Sequence, residues 1–168
     1  MKWAKNADFY IRYAAMRACK NRQDVPLEIV KQELHDPYVR DAAAEACEGR
    51  NDIPTETIKQ WMKSADKHIR RAAMYACKGR QEDVPLKIIK KGLRDNNLNV
   101  CRVAAEACEG RSDISIETIR DWIESTGWHF RYAAMCACKG RQDIPPEISE
   151  QVALLHDFGA KTLIAKKE

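Results

Sequence analysis

Apolar and polar positions recur along this chain with a helical period. Ile11, Ala14, Ala15, Ala18 and Cys19 fall at i, i+3, i+4, i+7 and i+8, one face of an α-helix. The face returns as Val39, Ala42, Ala43, Ala46 and Cys47, then in three more copies. Five segments therefore align: IRYAAMRACKNRQDVP, VRDAAAEACEGRNDIP, IRRAAMYACKGRQEDVP, VCRVAAEACEGRSDIS and FRYAAMCACKGRQDIP. Their cysteines, Cys19, Cys47, Cys77, Cys108 and Cys138, are 28, 30, 31 and 30 residues apart. A period near 30 without long linkers predicts a stacked repeat array.

Each repeat reads as two helices. Asp8, Asp36 and Asp66 stand where the first helix needs an N-cap. Its far end carries Asn21, Gly49, Gly79, Gly110 and Gly140, residue types that tolerate a left-handed stop. Pro26, Pro54, Pro85 and Pro145, with Ser115 in the fourth copy, then open a second helix of about ten residues. Glu28, Glu56, Glu117 and Glu147 follow two residues on, favourable near the positive end of a helix dipole, and Lys87 breaks that pattern. Val30/Leu34, Ile58/Met62, Ile89/Leu93 and Ile119/Ile123 are expected to face inward. The first-helix face is almost wholly small, which lets helix axes approach closely.

A longer period of two repeats overlies this one. Met16, Met74 and Met135 in odd copies answer Ala44 and Ala105 in even ones, whereas Glu33 and Gly92 answer Trp61 and Trp122 on the second helix. Large and small residues thus swap sides, which keeps the volume at each junction roughly constant. KWAKNAD, containing Trp3, matches QWMKSAD, so the chain opens inside a second helix of even type. Lys20, Glu48, Lys78, Glu109 and Lys139 form an alternating row, each exposed pair contributing only about 0–1 kcal/mol and the row setting register.

The block VRxAAxxAC…GRxDIPxExI resembles a HEAT-like α-helical repeat of the leucine-rich-repeat-variant flavour, although Cys101 replaces the Arg found at Arg12, Arg40, Arg70 and Arg131. The likeness covers about residues 1–157. It implies an all-α fold, a right-handed α-solenoid (superhelix) of about five two-helix repeats, used as a scaffold or binding surface. Residues 1–168 then form one domain: a partial repeat at 1–7, repeats at 8–35, 36–65, 66–95, 96–126 and 127–157, and a C-terminal tail at 158–168.

Composition narrows the class. At 168 residues, 45% hydrophobic and 32% charged, the chain is ordinary for a soluble folded domain. No run of 18 apolar residues predicts a membrane span, and the start lacks a signal-peptide core. The formal charge of +4 is too mild and too mixed to announce a nucleic-acid binder. Seven cysteines with no CxxC favour neither a disulfide framework nor zinc, and fit a reducing, cytoplasmic setting.

Candidate chemistry is sparse. The cysteine column sits beside alanines, where Cys is a small hydrophobe, and neighbouring copies one helix-packing distance apart, about 9–10 Å, are too far for disulfides. Cys136 falls where other copies hold Arg17, Glu45 and Glu106, which predicts an exposed, reactive thiol. Arg22, Arg50, Arg80, Arg111 and Arg141 could line a phosphate backbone, but Asp24, Asp52, Asp83, Asp113 and Asp143 follow them, which favours an Arg–Asp ladder bracing the turns. Arg12, Arg40, Arg70 and Arg131 are expected to bridge adjacent repeats. Lys31, Lys59, Lys90 and Arg120, ended by Glu150, form a row on the second helices with no acidic residue expected beside it in register. By analogy with helical-repeat folds these helices line the concave side. The row is the candidate partner surface, for an acidic protein or, second, for nucleic acid. Trp61 and Trp122 read as junction filler.

No Gly-rich phosphate loop, GxSxG or HExxH is present, nor the His-Glu pairs of HEAT-like di-iron hydroxylases. No cofactor, metal or catalytic residue is expected, and the chain reads as a non-catalytic interaction scaffold. In PPEISEQVALLHDFG, Ser149 takes an inward position, the segment through Phe158 covers the last apolar face, and Gly159 is a stop. The amino-terminal face is uncapped, which is expected either of a piece of a longer array or of a face closed by another molecule, self-association being a second-order reading of the latter.

Overall fold

The structure, a computed structural model, describes residues 2–164, with side chains described through residue 155. Among the described residues it is all-helical, with no strand. After a 3-10 turn at Trp3–Lys5 come ten α-helices: α1 Phe9–Arg17, α2 Leu27–Glu33, α3 Arg40–Glu45, α4 Thr55–Trp61, α5 Lys67–Tyr75, α6 Leu86–Gly92, α7 Leu98–Glu106, α8 Ile116–Glu124, α9 Trp128–Cys138 and α10 Pro146–Ile164. They alternate as the two helices of the sequence repeat.

The local signals act where they stand. Asp8 and Asp66 cap α1 and α5 by accepting from the backbone N–H of Tyr10 and His68, and Asn97 caps α7. Asp36 makes the same bond to Tyr38 N–H, although regular helix begins only at Arg40. At the other end the helix tightens: Cys47 N–H bonds to Ala44 O and Cys77 N–H to Met74 O, three residues back. The chain then turns through Asn21 (φ 61°) and Gly49, Gly79, Gly110 and Gly140, all left-handed. Pro26, Pro54 and Pro85 precede α2, α4 and α6, and the Ser115 hydroxyl accepts from Thr118 N–H to cap α8. α2, α4 and α6 have seven residues each, shorter than expected, because each closes in a tightened turn.

Packing follows chain order. α1 packs on α3, α3 on α5, α5 on α7 and α7 on α9, while α2, α4, α6 and α8 each lie mainly on the first helix of the next repeat. Ala42, Ala43, Ala46 and Cys47 of α3, and their counterparts around α5 and α7, are buried at these junctions. Small side chains line the contacts between successive first helices, and clefts open between the end of α4 and α6 and between α6 and α8. Val30, Leu34, Ile58, Met62, Ile89, Leu93 and Ile119 are buried as expected, while Ile123 is half-buried. Trp122 is buried, and Trp3 and Trp61 pack partly buried against the core. The expected volume swap is visible where Gly92 lies against Met74 and Ala104.

The ends differ from expectation in two places. Ile148, not Ser149, takes the core position of α10; Ser149 is exposed, its hydroxyl donating to Pro145 O. The helix also runs through Gly159 to Ile164, so Gly159 is no stop: without a Cβ it lowers helix propensity but forces no break. The covering role given to Phe158 lies outside the residues whose side chains are described, and residues 165–168 lie outside altogether. At the start, Ile11 is 46% exposed and Ala14 and Ala18 are open, whereas the matching Val39 and Val100 are fully buried.

Candidate functional site

The recurring columns are consumed by the fold. Arg50 is fully buried; its guanidinium donates to Asp52 at 2.9 and 2.5 Å and to Val25 O, in the preceding repeat, at 2.7 Å. Arg80 pairs with Asp83 and reaches back to Ile53 O at 2.7 Å and Arg50 O at 3.2 Å. Arg111 pairs with Asp113 and reaches Val84 O at 2.9 Å; Arg141 pairs with Asp143 and reaches Ile114 O at 2.6 Å. Arg22 keeps only its Asp24 and is exposed. Hydrogen bonds from Arg50 and Arg80 hold Asp52 and Asp83 below the ordinary carboxylate range. Arg50, Arg80, Arg111 and Arg141 therefore do more than brace a turn: each tethers its turn to the carbonyls of the one before, and their donors are not aimed at solvent phosphates.

The earlier arginine column splits. Arg12 links Asn6 O and Ala7 O to Glu33 and Asp36, and Arg70 links Ser64 O and Ala65 O to Asp95 and Asn96, so both bridge the loops on either side. Among the described residues, Arg131 reaches Ser125 O and Thr126 O. The Arg40 side chain makes no such bond among the described residues.

The column thiols are buried except that of Cys138, which is half-buried. Cys19, Cys47, Cys77 and Cys108 each donate to the carbonyl four residues back, at 3.0–3.4 Å. Burial pushes Cys47 and Cys77 up to about 12. The expected exposed thiol at Cys136 is corrected: it is fully buried, and burial raises its pKa. Position 136 faces solvent in a free helix, but α9 packs along α7 and covers it.

The alternating row closes partly. Glu48 takes Lys20 at 3.1 Å and Lys78 at 3.1 Å, but Lys78 then turns to Glu106 at 3.4 Å rather than to Glu109.

On the second helices the structure separates the four candidate residues. Lys31 is paired to Glu28 and Lys59 to Glu56, each at 2.8 Å one turn back, so an acidic residue does recur beside the row in register. Lys90 has no such partner because Lys87 stands where the other copies hold Glu. Lys87, Lys90, Lys91 and Arg94 fall at i, i+3, i+4 and i+7, a single basic stripe on α6 and its closing turn, and none pairs with a carboxylate among the described residues. These four line one wall of a cleft of about 580 Å³ between the end of α4 and α6, with Met62 and Ser64 opposite. Lys90 and Arg94 also border a smaller groove shared with Asp121 and Trp122 of α8. Arg120 lies on α8, where Glu117, Asp121 and Glu124 make the same stripe predominantly acidic. Lys87, Lys91 and Arg94 were missed from sequence; the broken glutamate column was the signal.

Among the described residues no group of three His, Cys, Asp or Glu side chains converges as a metal ion would require, and no helix is long and apolar enough to cross a membrane. Comparison with protein-family models, with curated proteins and with solved structures found no match.

Proposed function

We propose that the chain is a HEAT-like repeat protein, a right-handed α-solenoid of about five helical pairs, acting as a non-catalytic protein-interaction scaffold in the cytoplasm. What supports the solenoid is the order of packing, in which each first helix meets the next. What supports the scaffold reading is the division of labour among polar groups. The recurring Arg column is tied into repeat-to-repeat bonds from Arg50 onward, its Asp partners and the buried Cys column are satisfied inside their own repeat, and the second helices differ in charge from copy to copy. Residues common to every copy hold the array; residues that vary carry the recognition.

The partner surface is the second-helix row, with Lys90 at its centre and Lys31, Lys59 and Arg120 along it. The open face of α1 is a further surface, for self-association. Nucleic acid is the weaker reading, because Glu28 and Glu56 pair two of the lysines, Glu117, Asp121 and Glu124 surround Arg120 on α8, and a polyanion needs a continuous track of unpaired cations. Photocross-linkers at positions 59 and 90 in the source cell test the reading. Capture of a protein from these sites, and not from position 82 in the turn between α5 and α6, is expected. Capture of nucleic acid alone would overturn it.

A further inference from the structure

The charge on the second helices is not graded evenly. α2 and α4 each pair one lysine with their own glutamate, and Lys63 in the closing turn of α4 makes no ion pair among the described residues; α6 and its closing turn carry four cations in one stripe, and α8 presents three carboxylates on the equivalent stripe. Lys87, Lys91 and Arg94 are exposed and Lys90 half-buried, so like charges are held together on a short helix without a described counter-ion. Like charges one turn apart are mutually destabilising. The strain is relieved when an anion sits on them.

The dimensions define that anion. From Lys87 to Arg94 the stripe is about 10 Å long at 1.5 Å per residue. An extended peptide advances about 3.3 Å per residue, so three or four residues cover it. Opposite the stripe the cleft is lined by Met62, which is buried, and by Ser64, a side of mixed polarity suited to a peptide backbone and side-chain stems. Arg70 and Asp95 at the cleft neutralise each other through paired bonds at 2.7 and 2.9 Å and do not compete for the ligand. Beyond the stripe the carboxylates of α8 bound the positive region on one side, and on the other Lys63 adds one further cation before the Glu56–Lys59 pair of α4. A nucleic-acid strand long enough to leave the cleft would run over Glu117, Asp121 and Glu124. A short acidic segment would not.

We infer that the cleft between α4 and α6 is the docking site for a short, extended run of Glu and Asp in a partner protein, held by Lys87, Lys90, Lys91 and Arg94. This rests on the scaffold reading above and gives its partner a chemistry. Lys87 is the residue that creates the site: a glutamate there, as in the other copies, would close onto Lys90 as Glu56 closes onto Lys59.

Fluorescence anisotropy with fluorescein-labelled hexaglutamate tests this on the full chain. Wild type is expected to bind it with an affinity that falls as salt rises. Lys87→Glu is expected to weaken it roughly tenfold or more, and Lys5→Glu, the same change in net charge far from the cleft, less than about twofold. Thermal melting checks that Lys87→Glu folds; Lys91→Gln with Arg94→Gln reads the same loss independently. Equal weakening by Lys5→Glu, or tighter binding of a twelve-nucleotide oligothymidylate than of hexaglutamate, would overturn the inference. Absence of hexaglutamate binding at low salt would overturn it too, while protein capture at positions 59 and 90 would leave the scaffold reading standing.

Discussion

The sulfur of Met74 occupies the space that a side chain on Gly92 would need: a Cβ there would overlap it and would lie 2.9 Å from Ala104 Cβ. The pair is one junction of the two-repeat alternation, a large residue on a first helix against none on the second. Gly92→Ala should therefore destabilise by about 1 kcal/mol net, since overpacking costs about 1–3 kcal/mol and better helix propensity returns about 1. With Met74→Ala also present, Gly92→Ala should become neutral or stabilising. Urea denaturation of the four proteins checks the coupling, and additive effects would separate the two residues.

Two arginines of one column should behave differently. Arg50 is fully buried, tied to Asp52 and to Val25 O; Arg22 is exposed and bonds only Asp24. Arg50→Ala is expected to cost about 3 kcal/mol, because it strands a carbonyl and a carboxylate and opens space. Arg22→Ala should cost less than about 1 kcal/mol. Similar losses in both, measured by equilibrium unfolding, would mean that the tether to the preceding turn adds nothing.

The same bonds set an acid response. Arg50 and Arg80 hold Asp52 and Asp83 below their unfolded pKa of about 3.9. A lowered folded pKa contributes stability above the unfolded value, and that contribution is lost as pH falls through the folded one. Wild-type melting temperature should drop below about pH 4, and Asp52→Asn with Asp83→Asn should start lower at neutral pH and fall less steeply. An unchanged slope would remove these pairs from the acid response.

Thiol labelling should rank the cysteines by burial. Cys138 is half-buried, whereas Cys47, Cys77, Cys108 and Cys136 are closed off. Iodoacetamide on the folded protein, followed by mass spectrometry, should mark Cys138 well before those four. The sign at high pH also follows. Folded Cys47 and Cys77 titrate near 12, above their unfolded value, so their stabilisation is full below about pH 8.5 and lost towards pH 12. Early labelling of Cys136 would contradict its burial under α7.

Much of this was legible residue by residue where the determinant is local. Asp8 and Asp66 as caps, Gly49 and Gly79 as left-handed stops, and Pro54 and Ser115 as helix openers need only their neighbours in the chain. The Arg–Asp pairs, two or three residues apart, were also within reach. The carbonyls that the same arginines seek were not, since Val25 and Ile53 lie a repeat away and come near only after stacking. Cys136 fails for the same reason: a helical wheel places it outside, and a neighbouring helix covers it.

The candidate site divides along this line. Sequence alone determined the thirty-residue unit, its two helices and the lysine column, because periodicity and capping act within a turn or two of chain. Which of those lysines are paired is local as well: Lys31 and Lys59 fold back onto glutamates one turn away, and Lys87 removes that partner from Lys90. Tertiary structure decided that Lys87, Lys90, Lys91 and Arg94 share a cleft with Met62 and Ser64. The cleft needs the end of α4 and α6 brought to opposite sides of one space, and these segments lie about 25 residues apart in the chain, so no local signal places them together.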